Sequence, residues 1–74
     1  MVHPRDIFKE AYNLNASFII CVHNHPSGDV SPSREDRTVT EQIASALSAL
    51  HISLLDHIIV GRDEYFSFAD ASLI

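Results

Sequence analysis

The chain has 74 residues, 46% of them hydrophobic, and a formal net charge of −5. That composition is globular rather than disordered and allows one domain at most, yet chains below about 70–80 residues usually lean on a metal, a disulfide or a partner. Cys21 is the only cysteine, so no disulfide closes within the chain, metal and oligomerisation remain as stabilisers, and a reducing, cytoplasmic setting is expected. Arg5, Lys9, Arg34, Arg37 and Arg62 are scattered and outnumbered two to one by acidic residues, which argues against direct nucleic-acid binding. No apolar run reaches a membrane span of about 20 residues, and Met-Val-His-Pro-Arg-Asp at the start is expected not to be a signal peptide, having no apolar core.

In chain order, Pro4 sits where a first helical turn tolerates proline. Ile7, Phe8, Ala11 and Leu14 recur at helical spacing, which predicts a short amphipathic helix from residue 4 to about 14, with Asn13 and Asn15 as stop signals. Ser17 to His23 is apolar until its end and predicts a strand covered on both faces. Two prolines, Gly28 and several small polar residues make 24–32 a loop. Ser33 then precedes a helix to about His51, on which Val39, Ile43, Ala46, Leu47 and Leu50 form an apolar stripe. Ile52 to Val60 reads as a second buried strand, 61–64 as a turn and Tyr65 to Phe68 as a returning strand. The order is helix, strand, helix, strand, strand, an α/β arrangement whose strand–helix–strand unit should be right-handed with parallel strands.

Chemistry concentrates where the first strand meets the loop, the edge at which open α/β sheets build their sites. Residues i and i+2 of an extended segment point to one side, so His23 and His25 can present two imidazoles to one ion while Asn24 points away. The loop returns to Ser33 and Asp36 at a helix N-terminus, which welcomes a carboxylate. Two histidines and one carboxylate leave a fourth position for water, the pattern of a catalytic rather than a structural zinc. Each half also has a plain reading. Ser33-Arg-Glu-Asp36 has the form of an ordinary capping box, and a lone His-x-His at a strand end is a weak signal. Zinc deaminases need His-x-Glu and Pro-Cys-x-x-Cys elements, and neither occurs here.

His23-Asn-His25-Pro, seven residues from Pro26 to Pro32, and Ser33-x-x-Asp36 resemble the JAMM (MPN-plus) metalloprotease signature without a gap. The fuller string from His23 to Asp36 resembles the RadC branch of that superfamily. His-Pro-Arg-Asp-Ile-Phe-Lys-Glu-Ala at 3–11, Leu55-Asp-His-Ile-Ile-Val-Gly61 and Tyr65-Phe-Ser-Phe68 extend the resemblance over essentially the whole chain. It implies a partial JAMM/MPN (cytidine-deaminase-like) α-β-α layer. It implies zinc held by His23, His25 and Asp36, with Ser33 as a catalytic donor to the oxyanion formed when metal-bound water attacks a peptide or isopeptide amide.

The family pattern also needs a glutamate on a strand upstream of the site helix, acting as general base. Glu10 is the only glutamate before the motif; it stands on the predicted first helix and reads as a solvated surface residue. Residues 1–74 are therefore expected to form a single, truncated RadC-like JAMM domain lacking the upstream strands, with its activity left open for want of the base. Such a domain should expose a sheet edge and part of an apolar face, so a homodimer or higher oligomer is expected. The alternative function is a DNA-repair-associated RadC-like accessory protein without enzymatic activity. The helix-hairpin-helix region of fuller members is not seen in these residues. A third reading, a structural zinc module, would need Cys21 as fourth ligand, although Cys21 reads first as a small core residue. Asp56 and His57 fall inside an apolar run and need partners, either a structural hydrogen bond or a contact with a zinc ligand. His3 and His51 read as surface or helix-end residues, and Tyr65, Phe66 and Phe68 as packing.

Overall fold

The computed structural model describes residues 4–74; His3 lies outside the described residues. Five elements follow one another: α1 (Pro4–Asn13), β1 (Phe18–Asn24), α2 (Arg34–Ala49), β2 (Ser53–Val60) and β3 (Tyr65–Ser67). This is the α/β order that the hydrophobic periods predict. β1 and β2 are parallel across the α2 crossover, and β2 and β3 are antiparallel across the 61–64 turn, giving the sheet order β1-β2-β3.

Both helices stop by the same device. Asn15 (φ 53°) and His51 (φ 60°) adopt the left-handed conformation. At the first helix end Ala16 N donates to Ala11 O at 3.0 Å and Asn15 N to Tyr12 O at 3.1 Å. At the second, Ile52 N donates to Leu47 O and His51 N to Ser48 O, both at 2.9 Å. These paired bonds satisfy the last carbonyls of each helix. Leu14 consequently falls outside α1 and is 70% exposed, so it is not part of the apolar stripe predicted for that helix.

The core is Ala11 of α1, Ile43 and Leu47 of α2, Ile52, and Leu54 of β2, with Ile7, Ile19 and Cys21 packed against it. Both helices therefore cover the same face of the sheet. The buried line of α2 is Asp36, Thr40, Ile43 and Leu47; Val39, Ala46 and Leu50 of the predicted stripe are half-buried flanks. On the opposite sheet face Phe18, Ile20 and Val22 are exposed, as are Val60 and Tyr65. Neither β1 nor β2 is covered on both faces by the described residues, contrary to the expectation from their apolar runs. An unbroken apolar run records hydrophobicity, and it does not record how many layers pack against it.

One irregularity sets the position of the site. The β1–β2 register shifts between Ile19 and Ile20, so that Ile19 pairs with Leu54 but Ile20 pairs with Asp56. The extra residue on β2 reverses the in–out alternation beyond it. Leu54, His57 and Ile59 are all buried as a result, and His57 is turned toward the helices. No helix among the described residues is long and apolar enough to cross a membrane.

Candidate metal centre

β1 runs out at Asn24, and His25 N then donates to Val60 O at 3.0 Å, which keeps the chain beside β2 for one more residue. His23 and His25 thus share a face while Asn24 is exposed. Their rings meet edge to face, with centroids 4.7 Å apart and planes at 86°. The loop that follows is tied down at several points. Gly28 takes φ 87° and returns its N–H to His25 O at 3.0 Å, a turn that disfavours a side chain. Asp29 Oδ1 accepts from Ser31 N at 2.9 Å. The loop also packs closely on Gly61, where an added Cβ would lie 2.6 Å from Val30 Cγ1 and 2.7 Å from Gly28 O.

The loop delivers Ser33 to the start of α2, and the capping box forms with both of its bonds. Asp36 N donates to Ser33 Oγ at 3.0 Å, and Ser33 N donates to Asp36 Oδ2 at 2.8 Å. The plain capping reading and the site reading therefore describe one object, because the cap is what aims the carboxylate. Burial works to raise the Asp36 carboxyl. The Ser33 hydrogen bonds, with His23 and His25 nearby, outweigh it and hold the group below the usual carboxylate range.

Asp36 Oδ1 lies 3.5 Å from His23 Nδ1, and Oδ2 lies 3.3 Å from His25 Nε2. These separations test whether a metal fits. Charge-assisted N–H···O bonds run at about 2.7–2.9 Å, so the three side chains are not simply bonded to one another. Donors bound tetrahedrally at about 2.0–2.1 Å from one zinc are about 3.3–3.4 Å apart, and each imidazole stands at about that distance from a different oxygen of the carboxylate. His25 Nδ1 donates to Asp29 O at 2.8 Å, which fixes the ring tautomer and leaves Nε2 bare on the side of Asp36, as a ligating histidine requires. His23, His25 and Asp36 thus form a group able to hold a metal ion, with donor atoms within 4.8 Å of one another.

A cavity of about 550 Å³ opens beside this group, with Ile7, Val39 and Ile43 among its lining residues. Cys21 also lines it and is half-buried, and burial pushes its thiol up. It stands outside the group of three donors, so the structural zinc module with Cys21 as fourth ligand gains no support. Glu10 is exposed on α1 and is not among the cavity's lining residues.

Asp56 and His57 find their partners here. Asp56 accepts from His57 N at 2.7 Å, Ser67 Oγ at 2.6 Å and Ala69 N at 3.0 Å, a structural knot that closes the end of the chain over β2. His57, 5% exposed, hydrogen-bonds Thr40 Oγ1 through Nδ1. Its ring lies nearly parallel to Phe68 on one side, 4.8 Å away, and to His23, 6.0 Å away. Burial lowers the affinity of this imidazole for a second proton. Thr40 is the residue that the sequence reading passes over. Its signal was its place four residues after Asp36 on the inward face of α2, hidden because a threonine interrupts an apolar stripe without announcing chemistry.

Comparison with known proteins shows the family of the chain. The RadC-like JAB domain matches residues 1–73. A UPF0758 protein of Thermotoga maritima is 54% identical over 70 residues, covering 95% of this chain and 32% of that protein. A UPF0758 protein of Chlorobaculum parvum is 54% identical over 74 residues, covering 100% of this chain and 33% of that protein. One of Chlorobium luteolum is 47% identical over the same length and shares. The chain thus spans about a third of the length of the curated relatives it matches. The match over residues 1–73 and these identities place the chain in the RadC-like JAB domain family.

Proposed function

We propose that these residues are the metal-holding part of a zinc-dependent hydrolase of the JAMM type, acting on a peptide or isopeptide amide. The observation that carries the reading is the convergence of one imidazole nitrogen from each of His23 and His25 and one Asp36 carboxylate oxygen to within 4.8 Å of one another. Two nitrogens and one carboxylate oxygen are a donor set that zinc accepts, with a position left open. An ion bound there supplies Lewis acidity toward a carbonyl and activates water near neutral pH.

The chain's own residues supply the rest. The loop and the cap hold the donors before any substrate arrives, so little reorganisation accompanies binding. Ser33 is exposed, and its Oγ accepts from Asp36 N with a lone pair. The hydroxyl keeps its proton, which steadies the Asp36 carboxylate in the free protein and can rotate to a carbonyl oxygen as negative charge develops there. Capping and oxyanion donation are therefore compatible. Ile7, Val39 and Ile43 give the cavity beside the donors apolar walls. No glutamate is among the lining residues; a general base contributes about 10²–10⁴ in rate wherever it is supplied. The net charge of −5 gives the DNA-associated alternative no observation in its favour.

The test combines metal analysis with amide hydrolysis. One zinc per chain is expected, lost in His23→Ala and in Asp36→Ala. Ser33→Ala should keep the zinc and lower hydrolysis of a peptide or isopeptide substrate by about 10²–10³. Hydrolysis that is indifferent to chelation would remove the proposal.

A further inference from the structure

Two of the three donors come from β1 or its extension, and the third comes from α2. The relative placement of strand and helix at the site end therefore decides whether the group can close on one ion. The apolar core fixes it at a distance, since Ile43 and Leu47 lie two and three turns beyond Asp36 on the helix. Nearer the donors, the tie is polar. Thr40 Oγ1 lies 2.7 Å from Asp36 O and also contacts His57 Nδ1. A carbonyl oxygen has no proton to give, so the threonine hydroxyl donates to Asp36 O and accepts from His57. The neutral imidazole thus carries its proton on Nδ1.

We propose that Thr40 and His57 are positioning residues for the metal donors, holding Asp36 through the helix backbone and His23 through ring stacking. The inference rests on the metal reading above. Three observations make it more than core packing. The pair is 2% and 5% exposed, and a buried polar pair is costly wherever an apolar pair would fill the same space. It touches both donor-bearing elements at once, through Asp36 O and through the face of His23, whose ring lies 22° from that of His57. The His57 ring is itself backed by Phe68, 1% exposed, and its backbone is held by Asp56. Each neighbour limits a different motion of the imidazole: Phe68 its tilt, Asp56 its backbone, Thr40 its rotation. His23 lies near parallel to the ring so held, 6.0 Å from it.

The experiment measures zinc affinity by competition with a chromophoric chelator, on the 74-residue protein and on Thr40→Val, Thr40→Ser and His57→Phe. Thr40→Val keeps the shape and removes the hydroxyl. His57→Phe keeps the stacked ring and removes the Nδ1 donor. Both are expected to weaken zinc by about 10–100-fold, while Thr40→Ser should stay near the parent and far-UV circular dichroism should show all three folded. Histidine ¹⁵N shifts of the metal-free parent should identify His57 as the Nδ1–H tautomer. The proposal is overturned if the parent binds zinc and both Thr40→Val and His57→Phe bind it as tightly. It is equally overturned if both variants unfold, since the pair would then serve the fold rather than the donors, or if the tautomer is Nε2–H. A parent that binds no zinc fails at an earlier point and overturns the metal reading itself.

Discussion

Asp36 carries three loads at one position. It caps α2 with its carboxylate on Ser33 N, faces both imidazoles, and lends its carbonyl to Thr40. Asp56 plays a comparable part away from the site and gives the cleaner test of charge and stability. Burial alone would raise its carboxyl, but bonds from Ser67, Ala69 and His57 N bring it below the ordinary value of 3.8. A carboxyl depressed in the folded state is ionised more readily there than in the unfolded chain. Its contribution is present above that ordinary value and is lost as pH falls through the folded value. Thermal melts of the parent should therefore fall steeply below about pH 4. Asp56→Asn should be less stable at neutral pH and show a shallower loss in that acid range. An identical acid slope in the two proteins would contradict the assignment. His57, depressed by burial from 6.5, adds a loss of the same sign that begins at higher pH, and the difference between the two proteins below pH 4 separates the two groups.

At the scale of elements, each helix ends on a non-glycine residue in left-handed backbone, and His51 at φ 60° is the less suited of the two. His51→Gly should raise stability by about 1 kcal/mol, because glycine adopts that conformation without the Cβ penalty. Urea unfolding would measure it, and a loss of stability would show that the His51 side chain makes a contribution larger than its strain. The same element ends show what could be read in advance. The helical period, two unbroken apolar runs and one alternating run placed the five elements in order. The His-x-His and Ser-x-x-Asp spacings brought His23, His25, Ser33 and Asp36 to one place. The role of His57 was less legible. Strict alternation from Leu54 would turn it away from the helices, and only the bulge opposite Ile19 and Ile20 turns it inward. A register shift depends on pairing between two distant strands, and no local pattern in β2 records it. Thr40 was hidden for a related reason, since its value depends on a histidine 17 residues away on the strand that faces its helix.

The whole molecule is a helix layer over one face of a three-stranded sheet. Phe18, Ile20, Val22, Val60 and Tyr65 stand exposed on the other face, and the outer edge of β1 has no strand beside it among the described residues. An open strand edge next to an apolar face favours pairing with another chain. For the 74 residues in isolation the expected outcome is self-association, seen by light scattering as a mass that rises with concentration. Val22→Lys, which places a charge on that face, should reduce it. A stable monomer at all concentrations would remove the expectation of an oligomer while leaving the metal centre untouched, because the donors lie on the helix side of the sheet.

The measurement that bears most directly on the centre is X-ray absorption at the zinc edge of the metal-loaded protein. A shell of nitrogen and oxygen atoms at about 2.0–2.1 Å, including two imidazoles and no sulfur, is the result predicted for His23, His25 and Asp36. A sulfur atom at about 2.3 Å would bring Cys21 into the donor set and contradict the account.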